Sequence, residues 1–74
     1  MTKYRNDDLL KKFGKSLQDT RKSKGMSQEQ LAFKSNISVN QIGRIERGEI
    51  STTISTVYLL SEILEVELKE LFDF

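Results

Sequence analysis

The sequence predicts an all-α domain of five helices in which the second and third form a helix-turn-helix. Three observations carry this expectation. Two helix-start signatures, Met26-Ser27-Gln28-Glu29-Gln30-Leu31 and Ile37-Ser38-Val39-Asn40-Gln41-Ile42, stand eleven residues apart. Apolar residues elsewhere recur at three- and four-residue steps, the period of a helix with one buried side. Proline is absent, and glycine or asparagine follows each of the first three helical stretches.

Taken in order, Leu9, Leu10, Phe13, Leu17 and Thr20 mark a first helix from residue 7 to about 24. Acids in its first turn and Lys22 and Lys24 in its last suit the helix dipole. Gly25 ends it, because glycine enters the left-handed region at little steric cost. Gly14, inside this helix, costs about 1 kcal/mol relative to alanine. It therefore implies either a close approach by another backbone or simple tolerance.

The paired signatures set the next two helices. Each serine hydroxyl can accept from the backbone N–H three residues on, and Gln30 and Gln41 can each reach back to the serine N–H, which makes two capping boxes. Met26 against Leu31, and Ile37 against Ile42, staple the two helix starts by apolar contact. The spacing leaves a second helix of about two turns over Gln28–Ser35, a turn at Asn36 and Ile37, and a third helix over residues 39–47 that ends at Gly48. Asn36 fits the turn because asparagine accepts positive φ better than other non-glycine residues.

Residues 49–53 read as a loop and Thr53 as the cap of a fourth helix, with Ile54, Val57, Leu60, Ile63 and Leu64 as its buried stripe. Val66 and Leu71 staple a short last helix, residues 68–72, with Glu67 in the cap position. The organisation is thus an N-terminal arm, residues 1–6, expected to be flexible, and a single domain over residues 7–74.

Composition bounds the function. At 74 residues, with 36% hydrophobic and 31% charged residues, the chain forms one globular domain of modest stability. No apolar run approaches the roughly 20 residues of a membrane span. No secretory signal is visible, so a cytoplasmic location is expected. The absence of both histidine and cysteine removes the commonest general base, thiolate chemistry and the commonest transition-metal ligands. No enzymatic activity, metal, cofactor or small-molecule ligand is expected.

Net charge of +1 conceals a strong asymmetry. Residues 1–47 hold eleven Lys or Arg against five acids, a net of +6, whereas residues 48–74 hold Lys69 against six acids, a net of −5. Such a dipole suits a protein that turns one face toward a polyanion.

At about 100° per residue, Val39, Ile42, Ile45 and Glu46 fall on one side of the third helix and Asn40, Arg44 and Arg47 on the other, with Gln41 and Gly43 on the flanks. A helix fits the major groove of DNA, where Arg pairs with guanine O6 and N7 and Asn with adenine N6 and N7. Arg44 and Asn40 are the principal expected base readers. Gln41 can reach a neighbouring base, and Val39 at the helix start can touch a thymine methyl. Gly43 either thins the helix at the DNA or serves packing. Gln28, at the start of the second helix, together with Lys34, Ser38 and Arg47, is expected to contact phosphates. Lys3 and Arg5 give the arm a basic character.

Glu46 falls among apolar residues and needs a partner, since a lone carboxylate is costly to bury. Arg21, near the end of the first helix, offers a planar fork that matches a carboxylate. The pair is expected to tie the first helix to the third. At the C-terminal end, Tyr58, Leu59, Leu64, Leu68, Phe72 and Phe74 exceed what one buried stripe needs. They either complete the core or form the interface of a homodimer.

The residues that carry these expectations resemble a known family. Residues 17–21, the run Lys24-Gly25-Met26-Ser27-Gln28-Glu29-Gln30-Leu31-Ala32, and Ile42 with Ile45-Glu46-Arg47-Gly48 are similar to the phage repressor and Cro-like (XRE-type) helix-turn-helix family. The likeness continues through residues 54–64 and 68–72. It implies a compact five-helix lambda-repressor-like DNA-binding domain, a dimeric transcriptional regulator, phosphate contact by Gln28 and the Arg21 to Glu46 pair. The single-domain form is also similar to the controller proteins of restriction-modification systems. The chain departs from the family pattern at Asn36, Thr52, Ser61 and Glu65, where Gly, Pro, Ala and Gly are frequent. Glu65 is expected to strain the end of the fourth helix.

One recognition helix spans few base pairs, so a dimer on a palindrome, with helices about 34 Å apart, is expected. The rival from another class is a helical protein-interaction module, antitoxin-like or a bridging subunit. It would place aromatic and aliphatic anchors where this chain has Asn40 and Arg44.

Overall fold

Most local signals for a helix end are realised in the computed structural model, which describes residues 4–74. Four α-helices follow in order, α1 (Asp7–Ser23), α2 (Gln28–Ser35), α3 (Val39–Glu46) and α4 (Ile54–Leu64), and a 3-10 turn (Leu68–Phe72) closes the chain. The expected fifth helix is thus a 3-10 segment, as is usual for runs this short. Lys3 lies outside the described residues.

Caps explain where the helices begin. Asn6 Oδ1 accepts from the Leu9 N–H at 3.0 Å and starts α1. At α2 the capping box is complete, with Ser27 Oγ accepting from the Gln30 N–H at 3.0 Å and Gln30 Oε1 from the Ser27 N–H at 2.7 Å. At α3 it is half made. Ser38 Oγ accepts from the Gln41 N–H at 3.1 Å, but the Gln41 side chain forms no return bond. Thr53 caps α4, and the Glu67 N–H donates to Glu70 at 2.6 Å ahead of the 3-10 turn.

Positive φ marks the ends. Gly25 (φ 68°) follows α1, Asn36 (φ 59°) turns α2 into α3, and Glu65 (φ 59°) ends α4. Asn36 tolerates this region, whereas a glutamate there is strained by roughly 1 kcal/mol. Glu65→Gly should therefore raise the unfolding free energy by about 0.5 to 1 kcal/mol, the relief exceeding the entropy cost of glycine. Equal or lower stability in a thermal melt would contradict the strain.

The core gathers one face from every helix: Phe13 and Leu17 of α1, Leu31 and Ala32 of α2, Ile42 and Ile45 of α3, Val57, Leu60 and Leu64 of α4, and Leu71 of the 3-10 turn. Met26 and Ile37, the staple residues, are half-buried against it. Two stripe positions fall elsewhere than expected. Ile54 is 75% exposed and Leu9 is exposed, because each stands in the first turn of its helix, where no neighbour extends far enough to cover it. Ser61 takes a buried place in α4 instead, its hydroxyl donating to the Tyr58 carbonyl at 2.6 Å.

Gly14 marks the crossing of α1 and α3. A Cβ there would overlap the Glu46 carbonyl oxygen and stand 2.5 Å from that of Ile45. Of the two readings of this glycine, close backbone approach holds, and it fixes how deeply α3 seats against α1.

Candidate nucleic-acid interface

Burial sorts α3 into two faces. Ile42, Gly43, Ile45 and Glu46 are buried, while Asn40, Gln41, Arg44 and Arg47 are exposed. Val39, expected on the inner side, is 43% exposed because it is the first residue of the helix. Ser38 and Lys34 are exposed beside this face, and Gln28 is half-buried at the start of α2.

The inner face is held by a charged lock. Arg21 donates from Nε to Glu46 Oε2 at 2.6 Å and from Nη2 to Glu46 Oε1 at 3.0 Å, a bidentate pair whose side chains are 7% and 1% exposed. Its Nη1 donates to the Met26 carbonyl at 2.9 Å, and Gln28 Nε2 donates to Glu46 Oε1 at 2.9 Å. The Glu46 hydrogen bond is the chief reason that the Arg21 guanidinium is pushed above its ordinary pKa, against the opposing effect of burial. Every buried side-chain polar atom among the described residues has a partner. One lock therefore joins α1, the loop before α2, α2 itself and α3.

Gln28 has two relations that its sequence position did not reveal together. It stands in the first turn of α2, where free N–H groups favour an anion, yet its amide is engaged with Glu46. An amide nitrogen carries two hydrogens, so one remains beyond that bond.

Glu49, just past α3, is the site residue that sequence reasoning missed. Its Oε2 accepts from Arg47 Nε at 2.6 Å, and its Oε1 lies 3.5 Å from Arg47 Nη2 and 3.7 Å from Arg44 Nε. The Arg47 hydrogen bond holds the Glu49 carboxyl below its usual 4.5, and the Arg47 guanidinium is raised in turn, first by the same bond. With the folded value depressed, the pairing is present above pH 4.5 and is lost as pH falls through the lower value. Its only trace in the sequence is the succession Arg44, Arg47, Glu49, which does not by itself show that the chain turns the acid back toward the last helical turn.

Gly43 gives Arg47 its path. A Cβ at residue 43 would stand 3.0 Å from Arg47 Nη1 and 3.8 Å from Gln28 Nε2, so the bare Cα lets the guanidinium lie across the helix toward α2. Arg5 joins the same end of α3, donating from Nη2 to the Glu49 carbonyl at 2.7 Å and from Nε to Asp7 at 2.5 Å.

Of the C-terminal apolar residues, Tyr58, Leu59, Phe72 and Phe74 are exposed and Leu68 is half-buried. Leu64, expected at an interface, is 1% exposed and belongs to the core, since it follows Leu60 by one helical turn on the inward face. Phe72 stacks between Phe13, at 5.2 Å between ring centroids, and Phe74, at 6.3 Å. Among the described residues no helix is long and apolar enough to cross a membrane.

Comparison with known proteins agrees with this architecture. The helix-turn-helix family model HTH_3 matches residues 17–71. The transcriptional regulator SlrR of Bacillus subtilis is 45% identical over 62 residues, which are 81% of this chain and 40% of SlrR, so the chain spans well under half the length of that relative. Control protein C.BamHI of Bacillus amyloliquefaciens is 38% identical over 63 residues, covering 84% of this chain and 78% of C.BamHI. Among solved structures, the restriction-modification controller protein C.AhdI of Aeromonas hydrophila superposes with a TM-score of 0.83 at 39% identity, over 90% of this chain and all of C.AhdI. The family match over residues 17–71, together with the identity and shared fold of these relatives, assigns the chain: it belongs to the HTH_3, or XRE-type, helix-turn-helix family of non-enzymatic DNA-binding transcriptional regulators.

Proposed function

We propose that this protein regulates transcription by reading double-stranded DNA in the major groove with α3, as a homodimer on a palindromic operator in the cytoplasm. The observation that carries the reading is the exposure of Asn40, Gln41 and Arg44 on one face of a helix whose opposite face is fixed to the core. Asn40 and Arg44 have the donors and acceptors to pair with adenine and guanine edges, Gln41 to reach a neighbouring base and Val39 to touch a thymine methyl. Gln28, Lys34, Ser38 and Arg47 surround that face and supply phosphate contacts, which position the protein without reading sequence. The names of C.BamHI and C.AhdI, a control and a controller protein, are consistent with such a regulator.

Tyr58, Leu68, Phe72 and Phe74 supply the dimer surface in this reading, since the first, third and fourth are exposed aromatic rings with no partner in the monomer beyond the Phe13, Phe72 and Phe74 stack. A protein-interaction module would need apolar anchors on the outer face of α3, where Val39 is the one apolar residue exposed.

Selection of bound sites from a random duplex pool tests the proposal, with an inverted repeat as the expected product. Arg44→Ala should then lose about 1 to 3 kcal/mol of discrimination at one base pair of each half-site, with a smaller effect on arbitrary duplex. Recovery of no preferred sequence would refute major-groove reading, and a single unrepeated half-site would refute the dimer.

A further inference from the structure

Arg44 and Arg47 are both exposed cations on the face assigned to DNA, and a free cation there binds any phosphate. Neither is free. The carboxylate of Glu49 takes Arg47 through Nε at 2.6 Å and stands 3.7 Å from Arg44 Nε, within ion-pair reach. Its place is fixed from the backbone as well. The Glu49 N–H donates to the Arg44 carbonyl at 2.9 Å, and the Glu49 carbonyl accepts from Arg5 Nη2 at 2.7 Å. A residue anchored on both sides holds its carboxylate at the exit of α3.

The edge of the guanidinium that Glu49 meets decides what remains available. A guanidinium is a rigid planar fork with five N–H donors. Glu49 faces the Nε edge of Arg44, which leaves the two terminal nitrogens, Nη1 and Nη2, to make the paired hydrogen bonds with guanine O6 and N7. Arg44 can therefore read a guanine without leaving the acid. A phosphate at an arbitrary site must compete with Glu49 for the same guanidinium.

We propose that Glu49 is a specificity-determining positioning residue: it aims the terminal nitrogens of Arg44 at a base edge and withholds Arg44 from phosphates at unselected sequences. The inference rests on the reading of α3 as the base-reading helix. Its consequence is a division of effects, with the acid weakening binding to arbitrary DNA more than binding to the preferred site.

Glu49→Gln, which keeps the size and removes the charge, tests this against Glu62→Gln, the same charge change on the exposed surface of α4. The probes are the duplex selected from the random pool and a scrambled duplex of equal composition, titrated at several salt concentrations. For Glu49→Gln, affinity for the scrambled duplex should rise roughly three- to tenfold near 0.1 M salt, with a log-log salt slope steeper by about 0.9 for the phosphate contact regained. Affinity for the selected duplex should rise less, so the ratio of the two falls by about threefold or more. Glu49→Asp should restore part of the ratio, and Glu62→Gln should leave it unchanged. If Glu49→Gln strengthens both duplexes by one factor, or alters neither, while the wild type still prefers its site, the inference falls and the reading of α3 stands. If the wild type prefers no duplex, both fall together.

Discussion

Glu46→Ala should lower the melting temperature by on the order of 15 °C. The side chain removed is 1% exposed, and it leaves the Arg21 guanidinium enclosed with the Met26 carbonyl as its remaining partner. The Gln28 amide loses its acceptor in the same step. Breaking a buried ion pair by deleting one member typically costs about 3 to 5 kcal/mol, because the other charge stays buried without compensation. A domain of this size has a total stability of only about 4 to 11 kcal/mol, and each kcal/mol moves the midpoint by about 4 to 8 °C. Glu49→Ala also deletes a carboxylate paired with arginine, but that pair is half exposed and its loss should shift the melt far less. Equal shifts in the two variants would remove the idea that Glu46 is a lock.

A second variant separates stability from positioning. Replacing both members, Arg21→Met with Glu46→Leu, removes the stranded charge and should recover much of the lost stability. If the lock also sets the angle of α3, the doubly substituted protein should melt near the wild-type temperature and still bind its selected duplex more weakly.

Gly14→Ala is the other large effect, and its sign discriminates between two physical accounts. Helix propensity alone favours alanine by about 1 kcal/mol in the interior of α1. Packing opposes it, because the new Cβ would meet the backbone carbonyl oxygens of Glu46 and Ile45, the latter at 2.5 Å, and no rotamer change can move a backbone. The helices must separate, at a cost of about 3 kcal/mol or more for such overpacking. The net expectation is a loss of about 2 to 3 kcal/mol, read as a midpoint lowered by roughly 10 °C or more. Because α3 is displaced, binding to the selected duplex should weaken as well. Gly25→Ala gives the internal comparison. That position has φ 68° and no atom within 4 Å of a new Cβ, so its cost is the backbone strain of about 1 kcal/mol. A Gly14→Ala protein as stable as wild type would mean that the α1 to α3 crossing is not as tight as described.

The legible part of the site was the part governed by short spacings. The outward set Asn40, Arg44 and Arg47 followed from about 100° per residue alone, whereas the flank residues Gln41 and Gly43 were sorted into exposed and buried only by the fold. The Arg21 to Glu46 pair followed from one carboxylate stranded on an apolar face. The occupation of Gln28 by Glu46 was not legible, since it depends on how far α2 tilts over α3. Nor was the hold of Glu49 on two arginines, which requires the chain to turn back after Gly48 and to be fastened there by Arg5.

The sequence by itself determined where the helices begin and end, because caps and left-handed turns are interactions among residues three or four apart: Ser27 with Gln30, Ser38 with Gln41, and Asn36 and Glu65 at positive φ. Which apolar residues are covered was decided only by tertiary structure. Ile54 and Leu64 are equally apolar and sit on the same helix, yet one is 75% exposed and the other 1%. Periodicity assigns a residue to a face, whereas burial depends on whether a distant segment reaches it. Leu64 lies within the core to which the 3-10 turn contributes Leu71, and Ile54, in the first turn of α4, extends beyond that cover.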